Sequence, residues 1–575
     1  MKRLLIISAV LMLASATAQA QQSSILNSKH NLSASGPGSI RASNETEVCI
    51  FCHTPHNSAP VTPLWNRSLP VSAYTVYTSN SLDAIPGQPT GSSKLCLSCH
   101  DGTIALGSVL SRQQGIAMAG GVTTLPPGAS NLGTDLSDDH PISFRYDTVL
   151  AAKDTKLRQP QLLPQQIKLD HNSELQCTSC HDAHNNQFGN FLVMDNAQSQ
   201  LCNSCHNAGK SATIAEHQNC NSCHKTHTAP SGPYLLAGRT VSETCDNCHG
   251  AGAGATNPRT NIAQAMNGIS KHDTNPSVTL KTNVPNDIAC NDCHQSHTME
   301  NQTASAPNIS PKLGQINGIN ASGAAIPTAN YEYEVCFKCH ANPNSVQPFV
   351  NRQITQTNTL LQFARAAVSF HPVEGPGKNS FVPSLKPGLT TSSTIYCTSC
   401  HSSDTSSPGI SAAGPHGSNI KPLLIANYVT TDMTAESADA YALCYSCHER
   451  GTILGNQSFT LHSTHIVDNK TPCSVCHDAH GISSAQGTMT NNAHLINFDT
   501  SVVTPDTVTG KLAYETLGNG QGTCTLTCHG VPHSPKFYGP GSVNVMAAKK
   551  GLSPARPGSQ HPTLPAPVVR PPTRY

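Results

Sequence analysis

The 24 cysteines of this 575-residue chain all fall in pairs, and a histidine directly follows each pair. Eleven pairs have the form CxxCH: Cys49, Cys52 and His53; Cys96, Cys99 and His100; Cys177, Cys180 and His181; Cys202, Cys205 and His206; Cys220, Cys223 and His224; Cys245, Cys248 and His249; Cys290, Cys293 and His294; Cys336, Cys339 and His340; Cys397, Cys400 and His401; Cys444, Cys447 and His448; Cys473, Cys476 and His477. The twelfth, Cys524, Cys528 and His529, has one more residue between its cysteines. Two thiols three positions apart lie on the same side of a helical turn, where both can bond the vinyl groups of one porphyrin while the adjacent imidazole takes the iron. The spacing therefore denotes covalent c-type haem attachment. Disulfide and zinc schemes also use paired cysteines, but neither calls for the histidine, which makes up only 29 of the 575 residues. Twelve haems are expected, or eleven if the CxxxCH motif is unoccupied.

With twelve histidines proximal, 17 remain for the sixth iron positions. Five follow their motif as CHxxH, namely His56, His184, His227, His297 and His480, and His416 stands in the same relation after a Ser- and Gly-rich insertion. A ring three residues from the proximal histidine cannot easily reach the opposite face of the same porphyrin, so it should ligate a neighbouring haem. Another six precede their motifs: His30, His140, His217, His272, His371 and His465. These twelve distal candidates would make every haem bis-His. His171, His462, His494 and His533 stand in reserve: His171 competes with His140, His462 with His465, and either His494 or His533 serves the last haem. His561 lies in the tail. Methionines number nine, two of them at positions 1 and 12, so bis-His ligation, with its lower potentials, is the expectation. No motif carries a lysine in place of the proximal histidine, the mark of an open catalytic iron, and no catalytic residue is assigned.

The elements that must position these groups are short. The chain reads as a multihaem cytochrome c: mostly irregular coil with short helices around a core of covalently bound haems, and little sheet. Few segments show sustained periodicity. Hydrophobic residues make up 37% and aromatics 5%, with one tryptophan, Trp65, and 41 each of Gly and Pro. Such a composition gives a thin side-chain core, which twelve apolar porphyrins would supplement. The motifs group as six pairs of two spacing classes. The corresponding division is 1–20 signal peptide, 21–110 first pair, 111–210 linker and second pair, 211–255 third, 256–345 fourth, 346–455 fifth, 456–534 sixth, and 535–575 a Pro-rich tail.

The formal charge is +1 at pH 7. Two propionates per haem would add roughly 24 negative charges, and no basic run suggests nucleic acid. Lys2 and Arg3, an apolar run from Leu4 to Leu13, and Ala18, Gln19 and Ala20 read as an export signal cut before Gln21. The apolar run is shorter than a membrane span, so no integral membrane segment is expected, and no cysteine at the cleavage site offers a lipid anchor. The product should be exported, to the periplasm or the outer cell surface.

At these residues the chain resembles the doubled-CxxCH multihaem c-type cytochromes of dissimilatory metal-reducing bacteria. The segments that carry the resemblance are Cys49 to His56 (CIFCHTPH), Asp139 to Phe144 (DHPISF), Cys177 to His184 (CTSCHDAH), Cys473 to Gly481 (CSVCHDAHG), His494 to Asp499 (HLINFD) and Cys524 to Gly530 (CTLTCHG). The resemblance implies an electron-transfer protein working with partner cytochromes or extracellular metal acceptors, with non-specific metal reduction at exposed haems compatible with that role. Two other readings stay open: a subunit of a homopolymeric cytochrome filament, in which surplus His533 or His561 reaches the next molecule, and a multihaem reductase of a small nitrogen or sulfur substrate.

Overall fold

A computed structural model describes residues 24–59, 64–209, 214–250, 261–274, 288–341, 348–405 and 413–540. The expected export signal, His561 and all but the first residues of the Pro-rich tail lie outside them. The chain divides into two compact units, one from the described parts of Met1–Cys339 with Tyr396–Ile425, the other from those of His340–Ile395 with Ala426–Tyr575. The boundary falls inside two of the segments drawn from motif spacing, 256–345 and 346–455.

Most of the described backbone is loop and turn, and the helices are short. The longest covers Gly91–His100, and it and the helices Val241–His249 and Glu332–His340 each end in a CxxCH motif. Elsewhere the motif is a single turn: in eight of them the histidine N–H donates to the carbonyl of the first cysteine at 2.8–3.0 Å, as for His53, His181 and His477. A lone turn nucleates poorly because it fixes several dihedrals for one bond. These turns are held instead by side chains, as where the Gln176 N–H donates to Ser179 Oγ.

Side chains form several small apolar clusters. Phe51, Leu106 and Met118 pack with Cys52 and Cys99; Tyr441, Tyr445 and Ile466 with Cys444 and Cys473; Val475, Phe498, Tyr514 and Leu526 with Cys476, Cys524 and Cys528. Each of these three clusters lines motif cysteines. Paired strands are mostly two residues long; the exception is a four-stranded antiparallel sheet in the order Val503–Thr504, Gln521–Cys528, Ala513–Gly518, with Val531–Tyr538 on the other edge of Gln521–Cys528. That sheet carries the CxxxC spacing. Among the described residues no helix is long and apolar enough to cross a membrane.

Candidate haem sites

None of the 24 cysteines is in a disulfide, and nearly all are partly buried. They follow one another in chain order. Within a pair the second cysteines approach: Cys52 beside Cys99, Cys180 beside Cys205, Cys223 beside Cys248, Cys293 beside Cys339. Between pairs the first cysteines touch, with thiol hydrogen bonds joining Cys96 to Cys177, Cys202 to Cys220, Cys245 to Cys290, Cys336 to Cys397 and Cys444 to Cys473. The first four spacing-defined pairs are thus stations on a longer relay that reaches Cys397, and Cys444 joins the sixth pair in the same way. Desolvation pushes the Cys52, Cys180, Cys476 and Cys524 thiols up to about 12, an apolar setting suited to uncharged sulfur.

The histidines meet ring to ring. His53 faces His184, His100 faces His30, His181 faces His227, His206 faces His140, His224 faces His297, His249 faces His217, His294 faces His416 and His477 faces His462, with centroids 6.0–6.4 Å apart. Nε2 lies roughly 1.1 Å from the ring centre, so an ion midway would sit about 2 Å from each nitrogen, the ordinary metal–imidazole bond length. A CHxxH ring serves the proximal histidine two motifs earlier: His184, His227, His297 and His416 do so for motifs one, three, five and seven. His371 acts on His448, whose imidazole is pushed down to about 4 by burial first and by His371 next.

Nδ1 is spoken for. Carbonyl oxygens only accept, so each of these contacts places the proton on Nδ1 and leaves the Nε2 lone pair for metal: His30 to Ala183, His100 to Ser130, His140 to Pro141, His181 to Asn190, His224 to Tyr234, His272 to Pro415, His294 to Lys312, His371 to Ala479, His401 to Pro422, His465 to Leu461 and His477 to His494, at 2.5–3.2 Å. His227 Nδ1 instead meets the buried Asp139 carboxylate at 3.0 Å, and His480 Nδ1 meets Gln362 Oε1 at 3.1 Å. Burial holds His140, His416 and His477 down to about 4 and His462 to about 3, so these rings are in the neutral form metals bind.

One recurring device was missed in the sequence. After five of the six first-of-pair motifs the chain returns as a short clamp whose N–H bonds the carbonyl of the motif's second cysteine. Asn66 donates to Cys52, Val193 to Cys180, Ala237 to Cys223, Ile425 to Cys400 and Asn497 to Cys476 at 2.8–3.0 Å. The carbonyls that anchor the His181, His224, His401 and His477 rings come from the same clamps. Leu64, Phe191, Leu235, Leu423 and Leu495 stand there at φ of 51–66°, a left-handed conformation that bulky residues rarely adopt. Two adjacent apolar residues that include a Leu, preceded by Asn, Tyr, Pro or His, as in NFL, YLL, PLLI and HLI, were the available signal.

The reserve residues divide. His462 takes a ring partner, and His465 faces His533 at 6.5 Å, so His462 and His465 do not compete. His494 contributes its backbone carbonyl to His477, while its Nδ1 meets Asn379 Nδ2 at 3.0 Å. His171 and His56 are exposed, and neither joins a ring pair among the described residues. His529 departs from expectation: its Nε2, the atom that would meet iron, lies 2.9 and 3.0 Å from the two Asp432 oxygens.

Cysteine pairs beside opposed imidazoles, many of them anchored through Nδ1, fit a covalently held haem with two histidine ligands. Residues 164–225 match the family described as cytochrome c7 and related cytochrome c, and residues 212–254 and 390–452 match the doubled CXXCH motif. These matches support the multihaem c-type cytochrome family for this chain, a family of electron-transfer proteins. No curated protein matches the chain.

Proposed function

We propose that this protein is a dodecahaem electron conduit, exported to the periplasm or outer cell surface and passing electrons to partner cytochromes or extracellular metals. The observation that carries the reading is the set of eight ring pairs at 6.0–6.4 Å, each containing the histidine of a different CxxCH motif. His371 and His448 close a ninth site, and His272 acts on the buried His401. Bound haem supplies the redox couple; the chain supplies attachment, axial nitrogen and a setting that tunes potential. The thiol relays support transfer from one motif to the next in chain order. Closing both axial positions leaves no iron for a small substrate, which weighs against a reductase.

The filament alternative is weakened at one point. Continuing the CHxxH pattern past motif eleven would assign His477 a ring from a following copy, but His462 of the same chain occupies that place. The N-terminal charge and apolar run support export. Intact mass and electron paramagnetic resonance of the oxidised protein test the whole reading. Twelve haem masses with low-spin iron throughout are expected; a stoichiometric high-spin haem in the wild type would overturn it.

A further inference from the structure

The twelfth motif differs from the other eleven in backbone as well as spacing. Cysteines three apart share one side of a helical turn, whereas cysteines four apart share one face of a strand, where side chains alternate. Cys524 and Cys528 stand on the strand Gln521–Cys528, and both approach the Cys476 thiol. The extra residue is therefore what a strand requires to present both sulfurs together. It also carries a consequence for the next residue, since a group adjacent to Cys528 points away from the face the cysteines use.

That residue is His529. It and Gly530 occupy a two-residue turn at φ 49° and 74°, the positive values of the tight hairpin that joins Gln521–Cys528 to Val531–Tyr538. From the turn its Nε2 reaches Asp432. The returning strand brings a different imidazole into place. His533 pairs directly with Leu526, midway between the two cysteines, and directly paired residues of antiparallel strands share a face. A bulge between Cys524 and Leu526 bends the strand along this stretch. The His533 ring faces His465 at 6.5 Å and 78°, close to the separation of the other pairs. His465 is anchored through Nδ1 to Leu461, and the His533 Nδ1 is buried without a partner, as are those of the paired rings His217 and His416.

We infer that the iron of the haem attached through Cys524 and Cys528 is ligated by His533 and His465, and that His529 is a turn residue held by Asp432. The attachment site then reads Cys-x3-Cys-x4-His rather than CxxxCH. This inference rests on the bis-His conduit reading, and the wild-type protein separates the two failures: missing haems or high-spin iron there defeat the broader reading, whereas the variants address His533 alone.

The test uses the full-length holoprotein with haem number verified by intact mass. H533A keeps both cysteines and His529, so it should retain twelve haems while one of the twelve becomes high-spin. H533M should instead keep that haem low-spin and add the near-infrared sulfur-to-iron band of a single His/Met site. H529Q carrying twelve haems should match the wild type in both spectra. An unchanged all-low-spin, bis-His spectrum in both His533 variants, or one high-spin haem in twelve-haem H529Q, would overturn the assignment.

Discussion

Arg67 offers the sharpest test of how the chain holds its motifs in place. Its side chain is 0% exposed, and its partners are carbonyls and a hydroxyl rather than a carboxylate. Nη1 donates to the Leu106 and Ser108 carbonyls at 2.8 and 3.3 Å, Nη2 to those of Ser98 and Ala105 at 2.9 and 3.0 Å, and Nε to Ser98 Oγ at 3.3 Å. The neighbouring Asn66 extends the clamp, donating from Nδ2 to Ile50 and from its N–H to Cys52. Between them the two residues tie the first motif to the helix that carries Cys96, Cys99 and His100. A hydrogen bond to a charged group contributes about 1.5–3 kcal/mol net, so the three bonds of 2.8–3.0 Å would sum to roughly 4.5–9 kcal/mol if independent. Arg67→Met also removes the cost of burying a cation, and water can reach the partly buried Ala105 and Ser108 carbonyls. The expected loss is therefore about 3–5 kcal/mol. Arg67→Lys should recover less than half, because one ammonium cannot span four carbonyls. Urea unfolding of the unit that contains Arg67, followed by Soret circular dichroism, measures the difference. A loss below about 1 kcal/mol in R67M would refute the argument, since it would mean the freed carbonyls find equivalent partners at no cost.

Removing the distal ring in His184→Ala should leave twelve haems by mass and convert one, beside His53, to high-spin; twelve low-spin haems would break that pairing. Asp139→Asn removes a buried anion from His227 Nδ1 and should raise one midpoint potential by about 60 mV, equivalent to a tenfold change for one electron, in a spectroelectrochemical titration; no shift would mean the carboxylate does not act on that iron. The ring pairs of motifs one, three, five and seven lie at 6–35° and those of motifs two, four and six at 64–84°, so paramagnetic resonance should resolve rhombic and strongly axial low-spin signals in comparable amounts. A single rhombic species would contradict the alternation. Burial pushes the Glu374 carboxyl up to about 7, opposed by Arg365, and its Oε1 has no partner. The folded state then holds a proton the unfolded state has released, so this group's contribution to stability falls as pH rises from about 4.5 to about 7, by up to roughly 3 kcal/mol. Glu374→Gln should flatten that slope in urea titrations at pH 5 and 8, and an unchanged slope would contradict it.

The attachment chemistry was legible without coordinates because it is local. A CxxCH motif needs one turn of backbone, and all of its chemical groups lie within five consecutive residues. The same locality explains why little sheet and short helices could be expected from a chain with so few aromatic and aliphatic residues. The return clamps were also written locally, in the Leu-containing apolar steps after five of the six first-of-pair motifs, but their left-handed residues carry no glycine signature and so passed unnoticed.

Which rings face each other was not local at all. His30 meets His100, and His294 meets His416, across long stretches of chain whose loops hold no periodic signal. His462 and His465 looked like competitors in the sequence, and tertiary packing gave each its own partner. The twelfth site shows the division most plainly. Residue order places His529 next to Cys528, as in every other motif. A strand in place of a helical turn reverses which neighbours share a face, and the hairpin supplies His533 from across the sheet. Residue type and spacing alone marked the twelve cysteine pairs as candidate attachment sites for a covalent cofactor. Only the folded backbone decided which imidazoles oppose one another, because direction depends on secondary structure and proximity on the path of the whole chain.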